Sequence, residues 1–92
     1  MYNKAMTTYL LYNRQTAGER QMQALAERLK PLLVNTELLD ADSLRGIQLA
    51  EHYDVMARPA VLIVRDDGSP MQLWEDAEQL PSPEDIRYLA AQ

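Results

Sequence analysis

No cysteine occurs among the 92 residues, so disulfides, thiolate metal sites and thiol catalysis within this chain are excluded from the outset. The polar residues left to do chemistry are few. Thr16-Ala17-Gly18-Glu19 has the Thr-x-x-Glu spacing of a capping box, in which Thr16 and Glu19 would satisfy free backbone N–H groups at a helix start. A hydroxyl nucleophile at Thr16 would need an adjacent activating base, and the sequence identifies none. His52 is the only histidine, and it reads as a partly exposed helix-end residue rather than a ligand or general base. Asp40 and Asp42 stand two apart without the Asp/Asn and Gly pattern of a calcium loop. Glu75, Asp76 and Glu78 read as a solvated acidic loop that keeps the protein soluble. No metal site and no cofactor is expected.

The elements that must position these residues follow from periodicity and punctuation. Thr7 to Tyr12 is rich in β-branched and aromatic side chains and predicts a first strand, after a loose tail over residues 1–5. Met22, Leu25, Ala26 and Leu29 share one face of a helix from about Ala17 to Lys30, which Pro31 should stop. Leu32 to Leu39 predicts a second strand with Val34 and Leu38 inward, parallel to the first because a crossover helix joins them. Asp42 or Ser43 should cap a second helix that buries Leu44, Ile47, Ala50 and Tyr53; Gly46 weakens it by roughly 1 kcal/mol relative to alanine.

Pro59 precedes the apolar run Ala60-Val61-Leu62-Ile63-Val64, which reads as a strand buried on both faces. Asp67-Gly68 marks a hairpin that returns the chain antiparallel over Met71 to Glu75. On this strand Trp74 either packs against the last helix or stands exposed as an anchor. Ser82-Pro83-Glu84-Asp85 has a capping residue, proline at the first helical position and acids in the first turn; Ile86, Leu89 and Tyr88 would dock the helix that follows. The order is β-α-β-α-β-β-α, an α/β class in a single domain spanning residues 1–92, with no internal repeat or linker.

The formal net charge is −5 and the basic residues are spread along the chain, so no footprint for a phosphate backbone is visible and nucleic acid is not an expected partner. The first strand is too short and too polar for a signal-peptide core, and no run reaches membrane-spanning length, so a cytoplasmic protein without membrane contact is expected.

The run Tyr53-Asp54-Val55-Met56-Ala57-Arg58-Pro59-Ala60-Val61-Leu62-Ile63-Val64, its Asp-Gly hairpin and the following strand resemble the C-terminal half of thioredoxin and glutaredoxin-like domains. The resemblance implies a thioredoxin-like fold, a four-stranded mixed sheet flanked by three helices, with a cis peptide bond between Arg58 and Pro59. It also places the family's reactive Cys-x-x-Cys at Thr16-Ala17-Gly18-Glu19, where this chain has no thiol to attack a disulfide.

What the resemblance implies for function is a redox-inactive domain used as a protein-binding or adaptor module. Its groove beside Pro59 would accept a protein or extended peptide, with Asn13, Arg14, Thr16, Arg58, Trp74 and the loop after it around the groove. A second implied reading is a cysteine-free enzyme binding glutathione or a small anion through Arg58, Arg14 and Thr16 near a helix N-terminus, although the Gly-Gly-x-Asp-Asp segment of glutathione-binding glutaredoxins is absent. A bland alternative leaves Arg58 paired with a surface acid such as Glu19 or Asp76. A third functional reading is a regulatory oligomer of the cysteine-free KaiB type, against which the Asp-Gly hairpin and the Trp-containing edge strand look more like an ordinary thioredoxin or glutaredoxin. The oligomeric state is left open.

Overall fold

The computed structural model describes residues 6–92, and the segment expected as a tail lies outside them. Its order is β1 (Thr7–Tyr12), α1 (Ala17–Leu29), a 3₁₀ turn (Lys30–Leu32), β2 (Thr36–Asp40), α2 (Leu44–His52), β3 (Ala60–Val64), β4 (Pro70–Trp74) and α3 (Pro83–Ala90). The four strands form one sheet in the order β2-β1-β3-β4. β1 and β2 run parallel, and β3 is antiparallel to both β1 and β4. The central position of β3 explains its composition: all five residues are buried, which a wholly apolar, branched run tolerates on both faces.

Side-chain alternation divides the core into two layers. Leu10, Val61 and Ile63 point to one face, where Met22, Leu25 and Leu29 of α1 and Ile86 of α3 cover them. Leu11, Ala60, Leu62 and Val64 point to the other, where Ala50 of α2 and Val55 complete the buried cluster. α3 begins with a full capping box: Ser82 Oγ accepts from the Asp85 N–H, and the Asp85 side chain accepts from the Ser82 N–H, with Pro83 at the start of the helix.

Three expectations about packing are corrected. The chain after α1 does not enter a strand at Leu32. Pro31 falls inside a short 3₁₀ turn, where its missing N–H costs nothing, and Leu33 then adopts a left-handed φ of 59°. β2 consequently starts only at Thr36. Val34 packs partly against the core, whereas Leu38, on an edge strand, is 37% exposed rather than inward. Second, α2 does not bury Leu44 and Ile47, which are 73% and 42% exposed. It faces the sheet instead through Gly46, Leu49, Ala50 and Tyr53. A Cβ on Gly46 would lie 2.1 Å from the Asp40 carbonyl oxygen, so the absence of a side chain is what lets the helix sit this close. Third, Tyr88 does not dock α3; it is 70% exposed, while Ile86 is fully buried and Leu89 packs at the edge of the core.

Candidate functional site

The loop leaving β1 and the segment entering β3 meet at one end of the sheet. Their contact is a close one: a Cβ on the buried Gly18, in the first turn of α1, would stand 3.1 to 3.3 Å from the ring of Pro59. The Arg58–Pro59 peptide bond is cis. Glycine at position 18 thus gives α1 room to rest its first turn on the proline, where a side chain would fit only tightly.

Thr16 occupies the N-cap position of α1 with extended backbone, yet its hydroxyl accepts nothing from the helix. It donates instead to the Asn13 carbonyl at 2.6 Å. Glu19 does reach back, but to the Gln15 N–H at 2.8 Å, one residue earlier than a capping box requires. Gln15 has a left-handed φ of 61°, and the turn it makes carries the Thr16 hydroxyl back over Asn13. The expected reciprocal cap of Thr16 and Glu19 is thus corrected to a turn lock at Thr16 and a carboxylate cap on Gln15. A cleft of about 640 Å³ opens here, lined by Gln15, Thr16, Ala17, Glu19 and Arg20.

The segment before Pro59 is held by a residue that sequence reasoning assigned to a solvated loop. The carboxylate of Glu75, just past β4, accepts hydrogen bonds from the N–H groups of both Met56 and Ala57, the latter at 3.2 Å. The two partners lie almost twenty residues away, so no local pattern announces them. Asp76 and Glu78 behave as expected of a surface turn, with Asp76 Oδ1 accepting from the Glu78 N–H at 2.9 Å.

The two arginines part company. Arg14 is exposed and stands 3.9 Å from Asp40 at the end of β2. Arg58 is half-buried and makes no ion pair among the described residues; neither Glu19 nor Asp76 reaches it. It lines a second cleft of about 340 Å³ on the α2 side, with Ile47, Ala50, Glu51, Asp54, Val55 and Met56. Arg58 and Thr16 thus line different clefts, and Arg14 lies beside Asp40. Trp74 pairs with Val61 and packs against the layer that α1 and α3 cover, which decides between its two expected positions in favour of packing. His52 is exposed and meets Tyr53 edge to face at 4.5 Å. Among the described residues no group of His, Asp or Glu is arranged to hold a metal ion, and no helix is long and apolar enough to cross a membrane.

Two groups near the hairpin carry shifted titration. Hydrogen bonds from the Ser69 side chain and N–H hold the Asp67 carboxyl below its ordinary value. Tyr53, at the end of α2, donates to the Gly68 carbonyl at 2.6 Å. Burial, followed by the neighbouring Tyr9 and Asp67, raises its pKa.

No family model matches the sequence, and no curated protein sequence does. Solved structures do match. An uncharacterised thioredoxin-like protein of Clostridium perfringens superposes with a TM-score of 0.76 at 14% identity, over 98% of this chain and 71% of its own. Thioredoxin-2 of the malaria parasite, a component of its protein secretion machinery, gives 0.73 at 11% identity over 97% and 84%. Oxidised thioredoxin O2 of Arabidopsis thaliana gives 0.66 at 13% identity over 96% and 71%. At such identities the likeness concerns the fold alone. The chain has the thioredoxin-like fold, with the β-α-β-α-β-β-α order and mixed four-stranded sheet of these neighbours, and it has no Cys-x-x-Cys.

Proposed function

We propose that this chain is a redox-inactive binding module, built on a thioredoxin-like fold, that holds an extended segment of a protein partner beside Pro59. The observation that carries the reading is the state of Arg58. Glu75 holds the two preceding N–H groups in place, while Arg58 itself has neither an ion pair nor a hydrogen bond among the described residues. A fixed backbone with free N–H, carbonyl and guanidinium groups matches what an extended chain needs for main-chain pairing and for placing one carboxylate. The sequence contains no thiolate to attack a disulfide, so the module does not catalyse thiol–disulfide exchange.

The glutathione- or anion-binding enzyme has less support, because Arg14 is committed to Asp40 and the Thr16 hydroxyl to Asn13. The test is quantitative capture of partners from native lysate by the wild type, by Arg58→Glu, and by Arg28→Glu at the far end of α1 as a charge control. Partners lost with Arg58→Glu and retained with Arg28→Glu support the groove. Equal capture by both folded variants removes it. Insulin reduction by the pure protein above a buffer control would overturn the redox-inactive part.

A further inference from the structure

The sequence of α2 encodes an apolar stripe that its own fold does not use. Leu44 and Ile47 stand one turn apart, with Glu51 a further turn along the same outward face. Met56, in the segment before Pro59, is 79% exposed and shares the 340 Å³ cleft with Ile47. Three of the six large exposed apolar side chains among the described residues thus lie along the outward side of α2 or in the segment that follows it. Exposed large apolar side chains beside a charged rim are what an interaction site presents.

The rim says what covers it. Glu51 and Asp54 supply negative charge and Arg58 positive charge around the same cleft, yet no two of them pair with each other. We propose that this face is a two-fold contact with a second copy of the chain. A two-fold axis sets each patch against itself, so a surface carrying both signs can be self-complementary: Arg58 of each copy meets Glu51 and Asp54 of the other, around a centre of Leu44, Ile47 and Met56. The net charge of −5 on each copy opposes association at a distance, but at about 0.15 M salt the Debye length is roughly 8 Å and that repulsion is largely screened. The contact does not rest on the partner-binding reading and competes with it for the Arg58 guanidinium.

Sedimentation velocity at that ionic strength, from low micromolar to near-millimolar protein, tests the contact. The weight-average mass of the wild type should climb from 10.5 kDa towards twice that value. Ile47→Asp should weaken association by roughly tenfold or more, because the new carboxylate would be desolvated without a partner. Leu33→Asp, at a more exposed apolar residue elsewhere, should leave it unchanged. Arg58→Glu and Glu51→Arg should each remain monomeric alone, since each sets like charges against one another. Mixed in equal amounts they should associate, because both 58–51 pairs in the mixed dimer are then of opposite sign and a single 58–54 contact is left with like charges. A wild type that stays at monomer mass overturns the proposal. So does association that survives Ile47→Asp or depends on Leu33, or a mixture of the two charge variants that stays monomeric.

Discussion

The two faces of the sheet are built on different principles. On one, α1 and α3 contribute Met22, Leu25, Leu29 and Ile86 to a layer of large interlocking side chains, with Trp74, Leu80 and Leu89 closing its edges. On the other, the nine-residue α2 is buried only through Gly46 and Ala50, and the sheet comes up to meet it. Distance follows from residue size. A helix that presents glycine and alanine lies close to the strands, and its larger side chains are then displaced to the flanks and outside. The first face is completed within the chain, and the second leaves apolar residues in water. An amphipathic pattern alone therefore does not say which side of a helix the same chain will cover.

The largest effects should come from testing that contrast in the core. Ile86→Ala removes a fully buried side chain between α3 and the sheet, and should cost about 2–5 kcal/mol in urea denaturation. Ile47→Ala, measured in dilute solution where the chain is monomeric, should change stability by no more than about 0.5 kcal/mol. Comparable losses would mean that α2 buries its large residues after all.

Gly46 sharpens the comparison because the sign of the effect is at stake. In an exposed helix, replacing glycine by alanine stabilises by roughly 1 kcal/mol. Here the new Cβ would stand 2.1 Å from the Asp40 carbonyl oxygen and 3.0 Å from the Ala41 Cα, and backbone atoms cannot rotate away. Gly46→Ala should therefore destabilise, by about 1–3 kcal/mol as overpacking does. A stabilised variant would show that α2 stands further from the sheet.

Smaller effects distinguish the two helix starts on the thicker face. Ser82 accepts a helix N–H and belongs to a closed capping box, so Ser82→Ala should cost about 1 kcal/mol. Thr16 holds the N-cap position without accepting one, and Thr16→Ala should cost about 0.5 kcal/mol or less. Thermal or urea unfolding of the pair reads the difference directly. A Thr16→Ala loss equal to that of Ser82→Ala would restore the reciprocal cap that the Thr-x-x-Glu spacing suggests.

What the sequence made legible was whatever its chemistry settles locally. The apolar run after Pro59, the Asp67-Gly68 turn and the Ser82-Pro83 start each act through their immediate neighbours, and each lies where the residues indicate. What stayed hidden depends on partners far along the chain. Glu75 looks like any loop acid until β4 brings it beside Met56 and Ala57. The hydrophobic repeat of α2 points to the wrong face because Gly46, which counts in a propensity reading only as a penalty, is the residue that lies against the end of β2. An unforced glycine inside a helix was the available signal of a close approach. Leu32 and Leu33 extended an apolar run that the 3₁₀ turn after α1 consumes before β2 begins.

A pH-dependent effect is expected where the thinner face is tied to the hairpin. The Tyr53 hydroxyl donates to the Gly68 carbonyl, joining the end of α2 to the turn between β3 and β4. Losing one such bond in Tyr53→Phe should cost about 0.5–1.5 kcal/mol at neutral pH. The tyrosine pKa is raised in the folded chain, chiefly by burial and then by Tyr9 and Asp67, so folding favours the protonated phenol. Its contribution is then fully present below the unfolded value near 10 and is lost as pH rises through the higher folded value. Wild type should accordingly be more stable than Tyr53→Phe at neutral pH, and its advantage should shrink steadily from about pH 10 upward. Urea titrations of both proteins across that range decide the matter. An advantage that stays constant into strong alkali would mean that the hydroxyl contributes through packing alone, and that the link between α2 and the hairpin is not carried by its proton.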